Sequence, residues 1–150
     1  MNRSLVRHTL TLAAALVISA CGSGDLTLPG STVLEITPDR ATYAAGSNME
    51  FTVRNIGDQP VTYLMCRREY QRLTSLGWST VVYETPPCLP TFAPLVLAPG
   101  ATIDGALTLP GELSTGTYRV YFPDFDLSGE NLSSADLQTQ KSSKPFQVTR

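Results

Sequence analysis

From Thr32 onward the hydrophobic positions recur at every second residue, the spacing of strands that set one face in a core and the other in water. Leu34 and Ile36 alternate with Glu35 and Thr37, which predicts a first strand ending at Pro38. Met49, Phe51 and Val53 alternate with Glu50, Thr52 and Arg54 and predict a second. Between them Tyr43-Ala44-Ala45-Gly46-Ser47 reads as a turn, Gly46 being free to take positive φ. A turn cluster follows at 55–60, and residues 61–66 are then apolar on both alternating sets except at Thr62, as in a strand covered on both faces. Residues 70–73 and 78–83 flank Thr74-Ser75-Leu76-Gly77 and predict a hairpin, with Trp78 as a core anchor.

Prolines 86, 87, 90, 94 and 99 make the next stretch a long connection holding at most an edge strand, because proline lacks the ladder donor. Alternation resumes with Ile103, Leu107 and Leu109 inward and Thr102, Asp104 and Thr108 outward. Tyr118, Val120 and Phe122 then face one way, Arg119 and Tyr121 the other. Residues 123–143 are polar and irregular, and Phe146 with Val148 closes the chain as a last strand. The expected fold is all-β: an antiparallel β-sandwich of about seven to nine strands over residues 32–150.

Ahead of this domain the pattern changes. Arg3 and Arg7 precede an apolar run at 10–18 that is too short to cross a bilayer as a helix. Small residues then lead to Cys21 in Ile18-Ser19-Ala20-Cys21, which reads as a bacterial lipoprotein processing site. Residues 1–20 are thus expected to be removed, Cys21 to be lipidated (palmitate among its chains), and residues 21–31 to form a tether. Several acyl chains would make the anchoring effectively permanent, since each buried methylene adds roughly 0.8 kcal/mol. The alternative is an ordinary secretory signal cleaved after Ala20, with Cys21 left as a plain cysteine. Gly22, instead of the aspartate linked to inner-membrane retention in lipoproteins of enteric bacteria, resembles an outer-membrane address.

Without residues 1–20 the chain keeps 130 of its 150 residues, room for one domain. Its nine basic and thirteen acidic residues give a net charge of −4, which argues against a nucleic-acid partner. His8, the single histidine, leaves with the signal. Ser-His-Asp and Cys-His nucleophile systems, His-ligated zinc and blue copper all need imidazole and are excluded for the mature chain. With Cys21 acylated, Cys66 and Cys88 remain as an even pair. In an oxidising compartment they most simply form a disulfide, worth roughly 3 kcal/mol on a chain-entropy basis. A redox pair and two separate buried thiols are the alternatives.

Tyr43-x-x-Gly46, the strand ending in Asn55, Pro99-Gly100 and Gly116-Thr117-Tyr118-Arg119-Val120 together resemble bacterial immunoglobulin-like domains of secreted and lipid-anchored proteins. The resemblance covers about residues 32–149 and implies an immunoglobulin-like sandwich, in which Tyr118 takes the place of the tyrosine corner. The cysteine positions do not match the antibody inter-sheet bridge, so that bridge is not carried over. The fold specifies an activity poorly, since many roles sit on it.

Asp124-x-Asp126-x-Ser128-Gly129 copies the opening of a calcium loop, but the twelfth position is Ala135 instead of glutamate, leaving Glu130 and Asp136 for a non-standard site. The expectation is a polar loop with no metal or cofactor. Asp124, Phe125, Asp126 and Leu127 are candidates for a partner-binding loop if the two apolar side chains are exposed; folding back onto the sandwich edge is the commoner fate. Asp124 with Asp126, or Asp104 with Glu112, offers carboxylate pairs whose separation nothing fixes. The expected function is therefore not enzymatic: an envelope lipoprotein that binds another envelope protein or supports an assembly. A protease inhibitor presenting the stiff, disulfide-pinned segment 84–99 is the alternative, and an enzyme using one of these carboxylate pairs is a remote one.

Overall fold

The computed structural model describes residues 34–85, 93–127 and 133–150. Among them lie β1 (Leu34–Pro38), β2 (Thr42–Ala44), β3 (Asn48–Asn55), β4 (Val61–Tyr63), β5 (Arg68–Thr74), β6 (Gly77–Glu84), β7 (Leu95–Leu97), β8 (Thr102–Thr108), β9 (Gly116–Tyr121), β10 (Phe125–Asp126), one helix α1 (Ser134–Gln140), and β11 (Phe146–Thr149). The protein is mostly β. Its strands form three sheets, ordered β1-β3-β8, β10-β4-β7 and β2-β11-β9-β5-β6. Every strand pairing is antiparallel except that of β2 with β11.

The period-two pattern sets the core. Leu34, Ile36, Met49, Phe51, Val53 and Leu107 from one sheet meet Tyr43, Tyr70, Tyr118, Val120, Phe146 and Val148 from another in a single buried cluster. Edge-on contacts lock the rings, Tyr43 against Phe146 at 5.3 Å and Phe122 against Phe125 at 5.9 Å.

The strand count exceeds the seven to nine expected because short segments break at turns and change sheets. Tyr43 is in strand β2, not in a turn; the turn is confined to Ala45 and Gly46, where φ is 76°. The cause lies at Asp39. Its Oδ1 accepts from the Tyr43 hydroxyl (2.6 Å) and from the Glu50 amide (3.0 Å), while the same phenol oxygen accepts from the Arg40 amide (2.9 Å). This network turns the chain after β1 and delivers Tyr43 into the core beside β11.

Three other expectations are corrected. The doubly covered strand at 61–66 stops at Tyr63. Beyond it, the Leu64 amide bonds the Asp124 carbonyl and the Arg67 amide the Asp124 carboxylate, so backbone donors leave the ladder. Trp78 is half-buried on the outer face of the five-stranded sheet, with the Arg119 guanidinium 4.5 Å over its ring. The stretch 123–143 holds β10 and α1, the latter capped by Ser133, whose hydroxyl accepts from the Asp136 amide. Of its seven residues only Leu137 packs on the core, too little apolar spacing to announce a helix.

Candidate functional site

Among the described residues, the β5–β6 hairpin presents the largest run of exposed apolar side chains. Its tip is Ser75 and Leu76; Gly77 takes φ 106°, which a side chain would disfavour. Thr74 fixes the tip by donating to the Gly77 carbonyl (2.8 Å) and accepting from the Leu76 amide (3.2 Å). Leu76 is left 97% exposed, and Leu73, Val81 and Tyr83 about half exposed. β6 closes the order of the five-stranded sheet, so among the described residues its outer edge has no neighbour. Glu84, its only charged residue, is held by Arg68 at 2.6 Å. Edges usually carry charge or irregularity against unwanted pairing. Here the pairing skips Val81, a local irregularity, and charge is absent from Gly77 to Tyr83.

The residues singled out in the sequence fall elsewhere. Cys21 and Cys88 lie outside the described residues. Cys66 is disulfide-bonded, and its partner is likewise outside them. The Tyr118 hydroxyl donates to the Ser114 carbonyl at 2.8 Å, closing the turn that leads into β9.

The candidate partner loop is corrected by its burial. Phe125 is 1% exposed, pairs with Tyr63 in the β10–β4 ladder and stacks on its ring at 5.5 Å; Leu127 is also buried. Neither side chain is available to a partner, because burying them completes the core at this end. Asp124 is bound by the Arg67 amide (3.0 Å) and its Nε (2.7 Å), with Nη2 also in contact. That carboxylate raises the guanidinium pKa, with Tyr83 adding to it. Asp126 is exposed on β10. Asp136 accepts from the Ser133 hydroxyl at 2.6 Å. Asp124 and Asp136 thus have partners of their own, and among the described residues no group of three potential metal ligands forms. Glu130 lies outside them, as does the centre of segment 84–99.

In the other carboxylate pair, Asp104 accepts from the Thr52 hydroxyl at 3.0 Å. Sequence reasoning missed the partners: Arg67 for Asp124, and Gln71 and Trp78 for Arg119. Register alone carries the signal for one of them, since Gln71 stands opposite Arg119.

No protein-family model matches the chain, and no curated protein matches it. Among solved structures, Pseudomonas fluorescens alkylpurine DNA glycosylase AlkC bound to DNA is similar at 15% identity and TM-score 0.40, over 78% of this chain and 30% of that one. Spo0M, a sporulation control protein from Bacillus subtilis, is similar at 13% identity and TM-score 0.37, over 81% and 50%. A PapD-like domain of human CEP192 spans 95% of this chain and 94% of its own at 15% identity and TM-score 0.29. This chain therefore spans less than two thirds of the first two. These distant likenesses assign no family, substrate or partner; the β-rich architecture rests on the strands themselves.

Proposed function

We propose that this protein is a lipid-anchored, non-enzymatic envelope lipoprotein whose immunoglobulin-like domain works by contact with another envelope protein. The observation that carries the contact reading is the outer edge of β6, uncharged from Gly77 to Tyr83, with Val81 and Tyr83 exposed and Leu76 at the hairpin tip. The immunoglobulin-like reading is supported by strand order. The first strand is divided, β1 pairing with β3 and β2 running parallel to β11, and Tyr118 returns its hydroxyl to the backbone at the turn before β9. The anchor rests on the residues leading to Cys21. With Cys21 acylated, Cys66 pairs with Cys88 and pins the proline-rich connection beside β4.

Two measurements test this. Intact mass spectrometry of protein purified from bacterial membranes should show residues 1–20 removed and acyl chains on Cys21. An unacylated terminus on freely released protein refutes the anchor. A photocrosslinking residue at position 81 should trap one discrete envelope protein, and trapping should fail when Leu76→Ser is added. A crosslinking pattern unchanged by that substitution refutes the edge as the contact surface.

A further inference from the structure

Arg119 is a cation in an unusual place. It points away from the core side of β9, opposite to Tyr118 and Val120, yet only 6% of its surface is exposed. Its Nε donates to Gln71 Oε1 at 2.8 Å, and the Trp78 ring covers the guanidinium at 4.5 Å. Among the described residues no carboxylate pairs with it, and its Nε bond to Gln71 is the one hydrogen bond it makes. Burial accordingly pulls its pKa down, the mark of a charge left without an opposite partner. A guanidinium so little exposed, with no carboxylate partner among the described residues, is costly and calls for a physical reason.

The reason is the space it borders. Arg119 lines a cavity of about 600 Å³ between the outer face of the five-stranded sheet, β1 and α1. Leu34, Ile36, Ile56, Ala135 and Pro145 supply apolar walls. Lys144 also borders it, but its ammonium is taken by Glu35 at 2.5 Å. The cavity thus holds one positive charge in excess. Gln138, Thr139, Ser142 and Ser143 add neutral polar groups to the lining. Cavities of this size suit small molecules, and apolar walls with a few placed polar groups are their usual lining.

We propose that this cavity binds a small organic monocarboxylate. The carboxylate takes the two terminal nitrogens of Arg119 in a forked pair of charge-assisted hydrogen bonds, the geometry a guanidinium favours. The apolar body of the ligand lies against Ile36, Ile56 and Pro145. Gln71 and Trp78 are positioning residues: one fixes the Nε side, the other covers a face, and the terminal edge is left for the ligand. A doubly charged phosphate fits less well, because the cavity offers only one unneutralised cation. This inference stands apart from the edge-strand reading and does not depend on it.

Trp78 is the chain's one tryptophan, so its emission reports the site directly. Titration of the purified chain with benzoate should change that emission saturably, whereas neutral benzamide and inorganic phosphate at the same concentrations should not. Arg119→Lys should weaken the benzoate response by about tenfold or more, the loss expected for hydrogen bonds to a charged group. If that variant does not fold, Ala135→Phe, at an exposed helix position bordering the cavity, fills the space and should abolish the response. Absence of a saturable benzoate response, an equal response to benzamide or phosphate, or full binding in either folded variant overturns the proposal.

Discussion

Gly105 stands opposite Phe51 in the β3–β8 ladder, and a Cβ built on it would fall 2.8 Å from ring atom Cε2 and 3.0 Å from Cε1. The ring is buried and packs on Phe122 at 5.3 Å. Gly105→Ala should therefore destabilise the fold by about 1–3 kcal/mol, as overpacking does, read as a lower urea midpoint at unchanged slope. In a Phe51→Leu background the same alanine should cost less, a coupling on the order of 1 kcal/mol between residues in contact. Tyr118→Phe is a milder case. It removes the donor to the Ser114 carbonyl and keeps the packed ring, so the expected loss is about 1 kcal/mol. At this scale the sequence was readable where period two governed, as at Met49, Phe51 and Val53. It was silent where the partner of a side chain is distant, as with Trp78 beneath Arg119.

Among elements, the decisive event is the crossing of the chain from β1 to β2, and it hangs on Asp39 and Tyr43. The Tyr43 phenol is pushed up to about 12, first by burial and then by the bond to Asp39. A raised pKa in the folded state favours the protonated phenol. Its contribution is thus complete below the ordinary value of 10.0 and is lost as pH climbs toward about 12. Asp39 runs the other way. The phenol's hydrogen bond holds its carboxyl below the usual range, so its contribution is complete above that range and is lost as pH falls. Tyr43→Phe should flatten both the acid and the alkaline limbs of stability against pH, which urea midpoints measured at each pH will show.

A second tie is Asn55, fully buried at the end of β3. Its amide donates to the Gln59 carbonyl (2.7 Å) and the Leu97 carbonyl (3.0 Å) and accepts from the Gly57 amide (3.0 Å), holding the turn at 55–60 against β7. Asn55→Ala leaves those groups wanting partners and should cost about 1–3 kcal/mol, with hydrogen exchange rising first in β7. The longer strands and the hairpin were legible because alternation and turn residues mark them. β2, β10 and α1 were not, because two or three residues, or one inward leucine, are too few to establish a period. What fixes those elements is tertiary: the phenol of Tyr43, the ring stack of Phe125 on Tyr63, and the Ser133 cap.

For the molecule as a whole, the proposed attachment and the proposed contact belong to opposite parts of the chain and should be separable. Cys21 precedes the described domain by a dozen residues, whereas Leu76, Val81 and Tyr83 lie on the hairpin whose β6 has no outer neighbour among the described residues. A cysteine-to-serine change at position 21 removes the proposed acceptor for lipid, so the protein should move from the membrane pellet to the soluble fraction while its unfolding transition stays unchanged. Val81→Lys places a charge on an edge that has none between Gly77 and Tyr83. Since Val81 is half exposed and skipped by the ladder, the fold should lose no more than about 0.5 kcal/mol, the range of ordinary surface substitutions. A partner strand or apolar face approaching that edge would have to desolvate the new ammonium, and such charges are what natural edges use to refuse pairing. With the photocrosslinking residue moved to exposed position 79, Val81→Lys should thus stay in the membrane fraction yet lose the crosslink to the proposed envelope partner. If both variants change the same property, anchor and edge are not independent, and contact through β6 is only a by-product of membrane attachment.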